Sequence, residues 1–454
     1  MGVFSFYRIS RPSKDKVPQE SQEQEYLKLR NRTFWGAASA YGLYYVCRMS
    51  LSVVKQPLID EGVLTASQLG VIGSAMFFVY AVGKFVNGFI GDYCNIRRFM
   101  ATGIFISSLL NLVLGVVGLM YDTMTMPSFV VFIFFIVFWG LNGWLQSMGA
   151  PPGVISLSRW FPQSSRGTFY GIFSATPYAG KFLSLMILGA VAGTLGWQWA
   201  FLTASVLGLA ATAIIIFSVS DTPESKGLPS IQVLSKEPQK VEDSMRTIRL
   251  QRSVLMHPGI WIIAISSAFI YITRYAVDGW GVLFLQKVKK FGLYDATQII
   301  AISSISGILG TMIAGWLSDR IFRGDRVIPA LISGVTGTLA LGLFLFTGGG
   351  YILNILYVSL FFLSIGVLYC IVAGLMAVDI VPRKATGAAL GIVGISSYFA
   401  AGLQDILSGV LIDGHKVIVL QQEVYDFGPV SVFWMIAAVI SFVLPVLNWK
   451  KMKK

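Results

Sequence analysis

The sequence predicts an all-α polytopic membrane protein whose twelve transmembrane helices form two pseudo-symmetric six-helix bundles. Of its 454 residues, 55% are hydrophobic and only 13% are charged, whereas a soluble domain carries about 25% charged residues. Apolar runs of about 20 residues recur along the chain, which is the length that a helix needs to cross a ~30 Å hydrocarbon core. The strands of a β-barrel would be shorter and would alternate in polarity.

The apolar runs place twelve spans, and one long polar stretch divides them into two groups of six. The spans are 33–55, 68–91, 98–120, 128–157, 167–193, 197–219, 260–285, 296–318, 327–347, 352–378, 386–412 and 429–449. The predicted domains are a cytoplasmic N-terminal segment (1–32), a first bundle (33–219), a cytoplasmic linker (220–259), a second bundle (260–449) and a basic cytoplasmic tail (450–454).

The two groups of spans repeat each other at nearly one offset. Arg48 and Arg274 lie inside the first and seventh spans, 226 positions apart. Asp92 in GFIGDYCNIRR and Asp319 in GWLSDRIFRGDR follow the second and eighth spans, 227 positions apart. A pattern of proline and two glycines in PQSSRGTFYGI recurs in PRKATGAALGI. This repetition predicts two similar halves of one orientation, related by an axis along the membrane normal.

The formal net charge of +13 has two interpretations. In a soluble protein it would suggest nucleic-acid binding. Here the basic residues cluster in loops on one predicted side, and the opposite loops hold few, among them Lys55, which is the positive-inside pattern. We therefore predict a lipid bilayer around the protein, no nucleic-acid partner, both termini in the cytoplasm and a bacterial inner membrane. An endoplasmic-reticulum carrier is the alternative location, although KKMKK fits a retrieval signal poorly.

Two arginines, Arg48 and Arg274, lie well inside predicted spans. Each would cost roughly 2.5–3.5 kcal/mol at a helix centre on insertion scales. Acidic residues at comparable depth are scarce: Asp278 follows Arg274 by one turn, and Asp405 lies nearer the outer end of its span. The site should therefore be electropositive and select an anion. Two arginines suit a phosphate because guanidinium presents a planar fork of donors.

Other polar side chains are expected in the same region. Lys84 lies a few residues from the middle of the second span, and Tyr80 precedes it by one turn. Tyr41 and Tyr45 precede Arg48 by seven and three residues, on its face of the helix. These tyrosines could bond phosphate oxygens or sugar hydroxyls, or could serve only packing and the membrane interface.

The buried basic residues also have a structural interpretation. Arg274 and Asp278 could form an internal ion pair, while Arg48 and Lys84 snorkel or bond carbonyls. Lys181, in AGKF, could lie near the cytoplasmic end of its helix, where a structural or gating role is as reasonable as a substrate contact.

The repeated loop motifs predict a latch between the bundles. Asp92 and Asp319 each end a span on the cytoplasmic side, near Arg97, Arg98 or Arg323. Such ion pairs can hold one conformation and release in the other. The alternative is a positive-inside loop with an incidental aspartate.

No catalytic or metal site is predicted. The two histidines, His257 and His415, lie outside the spans, and no P-loop, nucleophile elbow or paired-carboxylate motif stands out. The three cysteines lack metal spacing and are expected to be free thiols. The chain is therefore predicted not to be an enzyme, to need no cofactor, and to be driven by exchange or an ion gradient.

The residues named above resemble the organophosphate:phosphate antiporters of the major facilitator superfamily. The matching stretches include YGLYYVCRMSLSVV, FPQSSRGTFYGI, YITRYAVDGW, GTMIAGWLSDRIFRGDR and VPRKATGAALGIVGISSYFAAG, and nearly the whole chain is covered. Within the family the chain looks most like bacterial hexose-phosphate carriers and the related hexose-phosphate sensor. The resemblance implies the major facilitator fold. A monomer is expected.

The resemblance also implies a function and its site. It implies exchange of external sugar phosphate, glucose 6-phosphate, for internal inorganic phosphate by alternating access. A sensor of external hexose phosphate with little transport is the alternative. The implied phosphate-binding residues are Arg48 and Arg274, with Lys84 as the cavity lysine. The other implied cavity residues are Tyr41, Tyr45, Tyr80, Tyr398 and Asp278.

The sequence departs from the family pattern in the fifth span and next to Arg48. FSATPYAG carries Pro177 where the transporters have a histidine, and Lys181 follows where a small residue is usual. Met49 follows Arg48 where many members have lysine. These departures put in doubt any mechanism that needs the histidine, and they leave the two arginines in place.

Overall fold

The computed structural model describes residues 3–123, 127–235, 254–323, 325–381, 386–419 and 422–452. Its long helices are α1 (Gln22–Asp60), α2 (Ala66–Asp92), α3 (Ile96–Thr123), α4 (Ser128–Gln146), α5 (Ala150–Trp160), α6 (Gln163–Leu195), α7 (Trp197–Ser218), α8 (Pro258–Lys287), α9 (Leu293–Trp316), α10 (Val327–Phe346), α11 (Tyr351–Leu368), α12 (Thr386–Gly414) and α13 (Gly428–Met452). Two π-helical turns, Leu317–Ile321 and Tyr369–Met376, continue α9 and α11.

Shorter elements complete the described residues. They are the helical turns Val3–Phe6, Gln19–Ser21, Glu224–Lys226, Ile231–Ser235 and Ala377–Asp379, and the antiparallel strands β1 (Lys416–Val419) and β2 (Gln422–Tyr425). The strands form a small hairpin between α12 and α13, which the sequence analysis did not predict.

The predicted all-α polytopic fold is confirmed, because every predicted span is mainly helical, although a turn at 147–149 divides the fourth span between α4 and α5. Eleven helical stretches of the described chain are long and apolar enough to cross a membrane. Helix α1 is not among them, since Tyr41, Tyr44, Tyr45 and Arg48 lower its hydropathy. It is nevertheless enclosed by α6 and α7. Helices suit this setting because all of their backbone hydrogen bonds are satisfied within one segment.

The helices pack as two groups that meet along two seams. Helices α1 to α7 pack on one another, and so do α8 to α13. We call them the first and second halves; they meet along α2 with α12 and along α6 with α9. The face that carries both described termini is called the terminal face, and the opposite face, with the α1–α2 turn at 61–65, is the distal face. The predicted linker falls partly on 236–253, outside the described residues.

The α2–α12 seam is very close on its distal side. A Cβ added to Gly73 would lie 1.7 Å from Asp405 Oδ2, and one added to Gly70 would lie 2.5 Å from the Asp405 carbonyl oxygen. A Cβ on Gly409 would lie 2.6 Å from the carbonyl oxygen of Ala66. Only glycine fits such distances, so these small residues let the two halves touch backbone to backbone.

The N-terminal segment is docked on the terminal face. The amide of Asn95 donates to the Tyr7 carbonyl (2.7 Å), and the amide of Val17 donates to the Gly227 carbonyl (3.0 Å). Helix α1 begins at Gln22, well before the predicted span. We call residues 3–17 the N-terminal strap. Through these two hydrogen bonds the strap connects the α2–α3 turn with the chain that follows α7.

Candidate functional site

Arg48 projects from α1 into the interior and reaches the second half. Its side chain is buried, and its Nη2 donates to the hydroxyl of Tyr275 on α8 (3.3 Å). Its guanidinium carbon lies 4.5 Å from the centre of the Tyr80 ring and 5.4 Å from that of Tyr45, within the range of cation–π attraction. No described carboxylate forms an ion pair with Arg48.

Arg274 projects from α8 of the second half towards the first half. Its guanidinium carbon lies 5.3 Å from the ring of Tyr178 on α6 and 5.7 Å from the ring of Tyr275. Asp278 Oδ2 is 3.7 Å from Arg274 Nε, beyond normal hydrogen-bond distance. That Nε is buried and finds no hydrogen-bond partner in the described structure. The two arginines thus meet around Tyr275, and one of them keeps an unused donor.

Lys84 and a group of tyrosines complete this central region. Lys84 Nζ lies 4.9 Å from the centre of the Tyr398 ring, and the Arg48 guanidinium carbon lies 6.0 Å from the same ring. The rings of Tyr80 and Tyr398 are 4.7 Å apart, across the α2–α12 seam. Three cationic side chains therefore surround aromatic rings whose hydroxyl groups can donate or accept hydrogen bonds.

Tyr41 lies at the edge of this region. Its ring stacks on Phe173 with 5.0 Å between ring centres, and lies 6.1 Å from the ring of Tyr45. Tyr45 itself contacts Arg48. Of the two tyrosines expected on the Arg48 face of α1, the structure thus places Tyr45 against the guanidinium and Tyr41 one layer further towards the terminal face.

Lys181 holds Asp278 across the two halves. Lys181 is buried, forms an ion pair with Asp278 Oδ1, and donates to Ser303 Oγ (3.1 Å). The expectation that Lys181 lies near the end of its helix was wrong, because it sits at the depth of Asp278. Asp278 is shared between this lysine and Arg274. The only feature of the sequence that pointed to this ion pair was a shift of a lysine relative to the family pattern. The lysine that many members have after Arg48 is replaced by Met49, and Lys181 takes the place of a small residue.

Lys181 should control how strongly Asp278 competes for Arg274. Replacing Lys181 with methionine frees the carboxylate to close on Arg274, as charge-assisted pairs are worth about 1.5–3 kcal/mol. We expect the Michaelis constant for phosphate to rise by about tenfold in Lys181→Met, as measured by exchange in proteoliposomes. The double variant Lys181→Met with Asp278→Asn lacks the competing charge and should recover most of the affinity. An equally impaired double variant would contradict this account.

A second buried ion pair joins the halves on the distal side of the arginines. Lys55 Nζ lies 3.4 Å from Asp405 Oδ1, and the two side chains are 2% and 6% exposed. Trp280 Nε1 donates to the same oxygen (2.6 Å), and Lys55 Nζ lies 3.3 Å from the centre of the Trp280 ring. The prediction that Lys55 lies in a loop was wrong: it is a buried residue of α1 that contacts both α8 and α12.

A small cavity lies between this pair and Arg48. Its volume is about 40 Å³, and its polar lining includes Arg48, Tyr275, Asp278, Lys55 and Asp405. Ligand pockets are typically ≈300–1,000 Å³, so the cavity is too small for a sugar phosphate. The central region is therefore closed towards the distal face in this conformation.

Further contacts between the halves lie at the distal face. Lys287 forms an ion pair with Asp60, and Ser67 Oγ donates to Asp413 Oδ2 (2.8 Å). Together with the pair at Asp405, these contacts hold the distal side shut.

The predicted latch on the terminal face is only partly described. Asp92 belongs to α2 and Asp319 to the π-helical turn after α9, but their side chains lie outside the described part of the structure. Arg98 Nη1 donates to the carbonyl of Phe6 in the N-terminal strap (2.7 Å). Arg97 and Arg323 form no ion pair with a described side chain. The latch stays a prediction.

Comparison with known proteins identifies the family. The model of the Major Facilitator Superfamily matches residues 37–404. A "probable hexose phosphate transport protein" of Chlamydia pneumoniae is 31% identical over 87% of this chain and 88% of its own length. A glycerol-3-phosphate transporter of Bacillus subtilis is 29% identical, covering 88% of this chain and 90% of its own. The membrane sensor protein UhpC of Escherichia coli is 26% identical over 80% and 81% of the two chains.

Solved structures agree with the fold. A bacterial homologue of the human lysosomal transporter Spinster, in an inward-facing and unoccupied conformation, superposes with a TM-score of 0.69 at 16% identity, over 94% of this chain and 95% of that one. This likeness concerns the fold alone. The relatives named above are transporters and a sensor rather than enzymes, and the chain is a multi-pass membrane protein. It belongs to the Major Facilitator Superfamily, and within it to the organophosphate:phosphate antiporters.

Proposed function

We propose that this protein exchanges a sugar phosphate, glucose 6-phosphate, for inorganic phosphate by alternating access. It would do so in a bacterial inner membrane, as a monomer with both termini in the cytoplasm. The terminal face is then cytoplasmic and the distal face is external. The observation that carries the proposal is the meeting of Arg48 and Arg274, one from each half, around Tyr275.

The charge at this meeting point favours a phosphate group. Arg48 and Lys84 have no described acidic partner, and Arg274 keeps a buried Nε without a hydrogen bond. A phosphate dianion supplies both the charge and the acceptor oxygens that these donors lack. Guanidinium groups bind phosphate oxygens through two parallel hydrogen bonds, which a chloride ion does not allow.

The position of the arginines in opposite halves couples binding to movement. A bound phosphate attracts both arginines and draws the halves together, so that the occluded state is lowered in energy. An empty site leaves like charges facing each other, which disfavours occlusion. Return without cargo would then be slow, and transport would be an obligatory exchange.

The remainder of the substrate would contact the tyrosines and Asp278. The rings of Tyr45, Tyr80 and Tyr398 lie against the cations, and their hydroxyl groups can hydrogen-bond to sugar hydroxyls. Asp278 is held in place by Lys181, and its carboxylate can accept from a sugar hydroxyl. The relatives named for hexose phosphate transport support a hexose phosphate over other organophosphates.

A membrane sensor is the second candidate. The sensor relative is similar over most of the chain, and this chain carries Pro177 in place of the family histidine. In a sensor, hexose phosphate would bind at the same arginines with little net movement across the membrane.

Counterflow in proteoliposomes tests the proposal. Purified protein is reconstituted in vesicles loaded with phosphate, and uptake of labelled glucose 6-phosphate, glycerol 3-phosphate and phosphoglycerate is compared. We expect glucose 6-phosphate to enter fastest and only when phosphate is inside. Binding of glucose 6-phosphate without uptake would favour the sensor. Faster uptake of glycerol 3-phosphate than of glucose 6-phosphate would overturn the proposed substrate. Vesicles that contain the Arg274→Lys variant give the background rate of uptake.

A further inference from the structure

A second polar cavity opens on the terminal face, remote from the arginine pair. Its volume is about 260 Å³. Three separate stretches of chain line it: the N-terminal strap, the α2–α3 turn with the first turn of α3, and the segment after α7. The lining residues are Ser10, Arg11, Asn95, Arg97, Ser220, Asp221, Ser225 and Lys226.

The cavity carries an excess of positive charge. Arg11, Arg97 and Lys226 each come from a different stretch, and none forms an ion pair with a described side chain. Asp221 is the one acidic residue of the lining, and its charge is already matched, because Arg159 Nη1 donates to its Oδ1 (2.7 Å). A concave wall with three uncompensated cations concentrates a positive potential.

The wall is held in place by buried hydrogen bonds around Asp221. Asp221 is 3% exposed, and its carboxylate also accepts from the amides of Ser10 (2.7 Å) and Ile96 (2.9 Å). Asn95 Nδ2 donates to Ser10 Oγ (2.7 Å). These bonds attach the strap and the α2–α3 turn to the same carboxylate, so Arg11 and Arg97 are brought to one cavity without an acidic partner between them.

The strap is fixed on its other side as well. The amide of Ser13 donates to the Glu224 carbonyl (2.9 Å). Gly227 has φ 78°, and a Cβ there would lie 2.2 Å from the Asp15 carbonyl oxygen, so only glycine lets the strap approach. This close approach brings Lys226 to the cavity that Arg11 also lines. A backbone fixed in this way keeps the three cations close together, which lowers the entropic cost of binding an anion.

The size and chemistry of the cavity limit its occupant. It is smaller than the ≈300–1,000 Å³ of drug-sized ligand sites, and its lining offers hydroxyl, amide and cationic donors rather than aromatic surface. Positive-inside topology explains why cations are on this face, but it does not explain their convergence on one cavity whose only carboxylate is already paired.

We propose that this cavity is a second anion site, which binds a phosphate group through Arg11, Arg97 and Lys226. The phosphate belongs either to free inorganic phosphate or to the head group of an anionic lipid. None of its residues belongs to the central region. Arg97 is also a candidate residue of the predicted latch, so the variants below leave Arg97 unchanged.

Binding measurements on a protein whose central site is disabled test this inference. The full-length protein with Arg48→Lys and Arg274→Lys is purified in detergent, and binding of labelled inorganic phosphate is measured by equilibrium dialysis. A parallel arm measures retention of labelled phosphatidylglycerol against phosphatidylcholine. We expect one of these two phosphate sources to bind at about one molecule per protein molecule. Adding Arg11→Gln and Lys226→Gln should weaken that binding at least tenfold, since each charged contact contributes about tenfold.

The matched control changes two cations of the same strap that do not line the cavity. Lys14→Gln with Lys16→Gln removes the same charge from exposed positions and should leave binding within about twofold. Equal binding by the two double variants, or no binding of either phosphate source, overturns the site. Because the background lacks the central arginines, this outcome does not depend on whether the protein transports.

Discussion

Replacing Arg48 or Arg274 with lysine should lower phosphate exchange by about ten- to hundredfold while the protein still inserts and folds. Lysine keeps the charge but loses the planar fork, and each lost charge-assisted hydrogen bond is worth about 1.5–3 kcal/mol. Every 1.4 kcal/mol is a factor of ten in affinity. Exchange of labelled phosphate in proteoliposomes, normalised to the amount of reconstituted protein, measures the loss.

The control for this experiment lies on the same helix. Arg32 belongs to α1, and its Nη2 donates to the carbonyl of Phe217, away from the central region. Arg32→Lys should therefore exchange phosphate at nearly the wild-type rate. Near-normal exchange in either Arg48→Lys or Arg274→Lys would refute the two-arginine phosphate site.

Neutralising Asp405 should open the distal side of the protein. In Asp405→Asn the charge of Lys55 stays buried without a partner, and breaking a buried ion pair on one side costs about 3–5 kcal/mol. This cost falls on the conformation in which the distal side is closed, so the outward-open state should gain population by more than about a hundredfold relative to the closed one. The rate of exchange should fall, because the return to the closed state becomes unfavourable.

Accessibility from the distal side provides the measurement. Ser52 lines the 40 Å³ cavity, so a cysteine placed there, in a variant whose three native cysteines are serine, reports opening. A membrane-impermeant thiol reagent added outside should label Ser52→Cys at least tenfold faster when Asp405 is asparagine. Unchanged labelling would show that the pair does not hold the distal side.

Two companion variants separate the pair from general disruption. Lys287 and Asp60 also join the halves, but Asp60 is 44% exposed, and exposed pairs contribute only about 0–1 kcal/mol. Lys287→Gln should therefore change labelling little. Removing both buried charges together, with Lys55→Met and Asp405→Leu, leaves no unpaired charge and should restore slow labelling.

The central site shows how much of a binding site can be predicted from residue patterns in the sequence. The repeat offset and the shortage of acidic residues predicted that Arg48 and Arg274 share one region, and in the structure both contact Tyr275. Tyr275 itself was not predicted, because it neighbours Arg274 in the sequence yet meets Arg48 only when the halves are packed together. The approach of Tyr45 to Arg48 follows from helical spacing, which is local and can be predicted from the sequence. Tyr80 was expected beside Lys84 of its own helix, but its ring contacts Arg48 of α1 instead.

The ion pairs between the halves could not be predicted from the sequence. Lys181 and Asp278, like Lys55 and Asp405, come from helices far apart in the chain, and nothing in local spacing says which lysine meets which aspartate. The same holds for the N-terminal strap, for which the sequence predicted only a cytoplasmic N-terminal segment. Its hydrogen bonds to Asp221 and Gly227 depend on how the surfaces of three segments fit.

The sequence by itself determined the membrane setting and the helical class, and it predicted the two-fold repeat and an anion site. These follow from composition and short-range periodicity, since hydrocarbon leaves few choices for the backbone and few reasons to bury a cation. Only the tertiary structure decided which charges are free and which are paired. The shared Asp278, the closed distal pair at Asp405 and the occupied carboxylate of Asp221 set the balance of charge, because a buried ion is compensated by whichever partner the packing brings within a few ångströms.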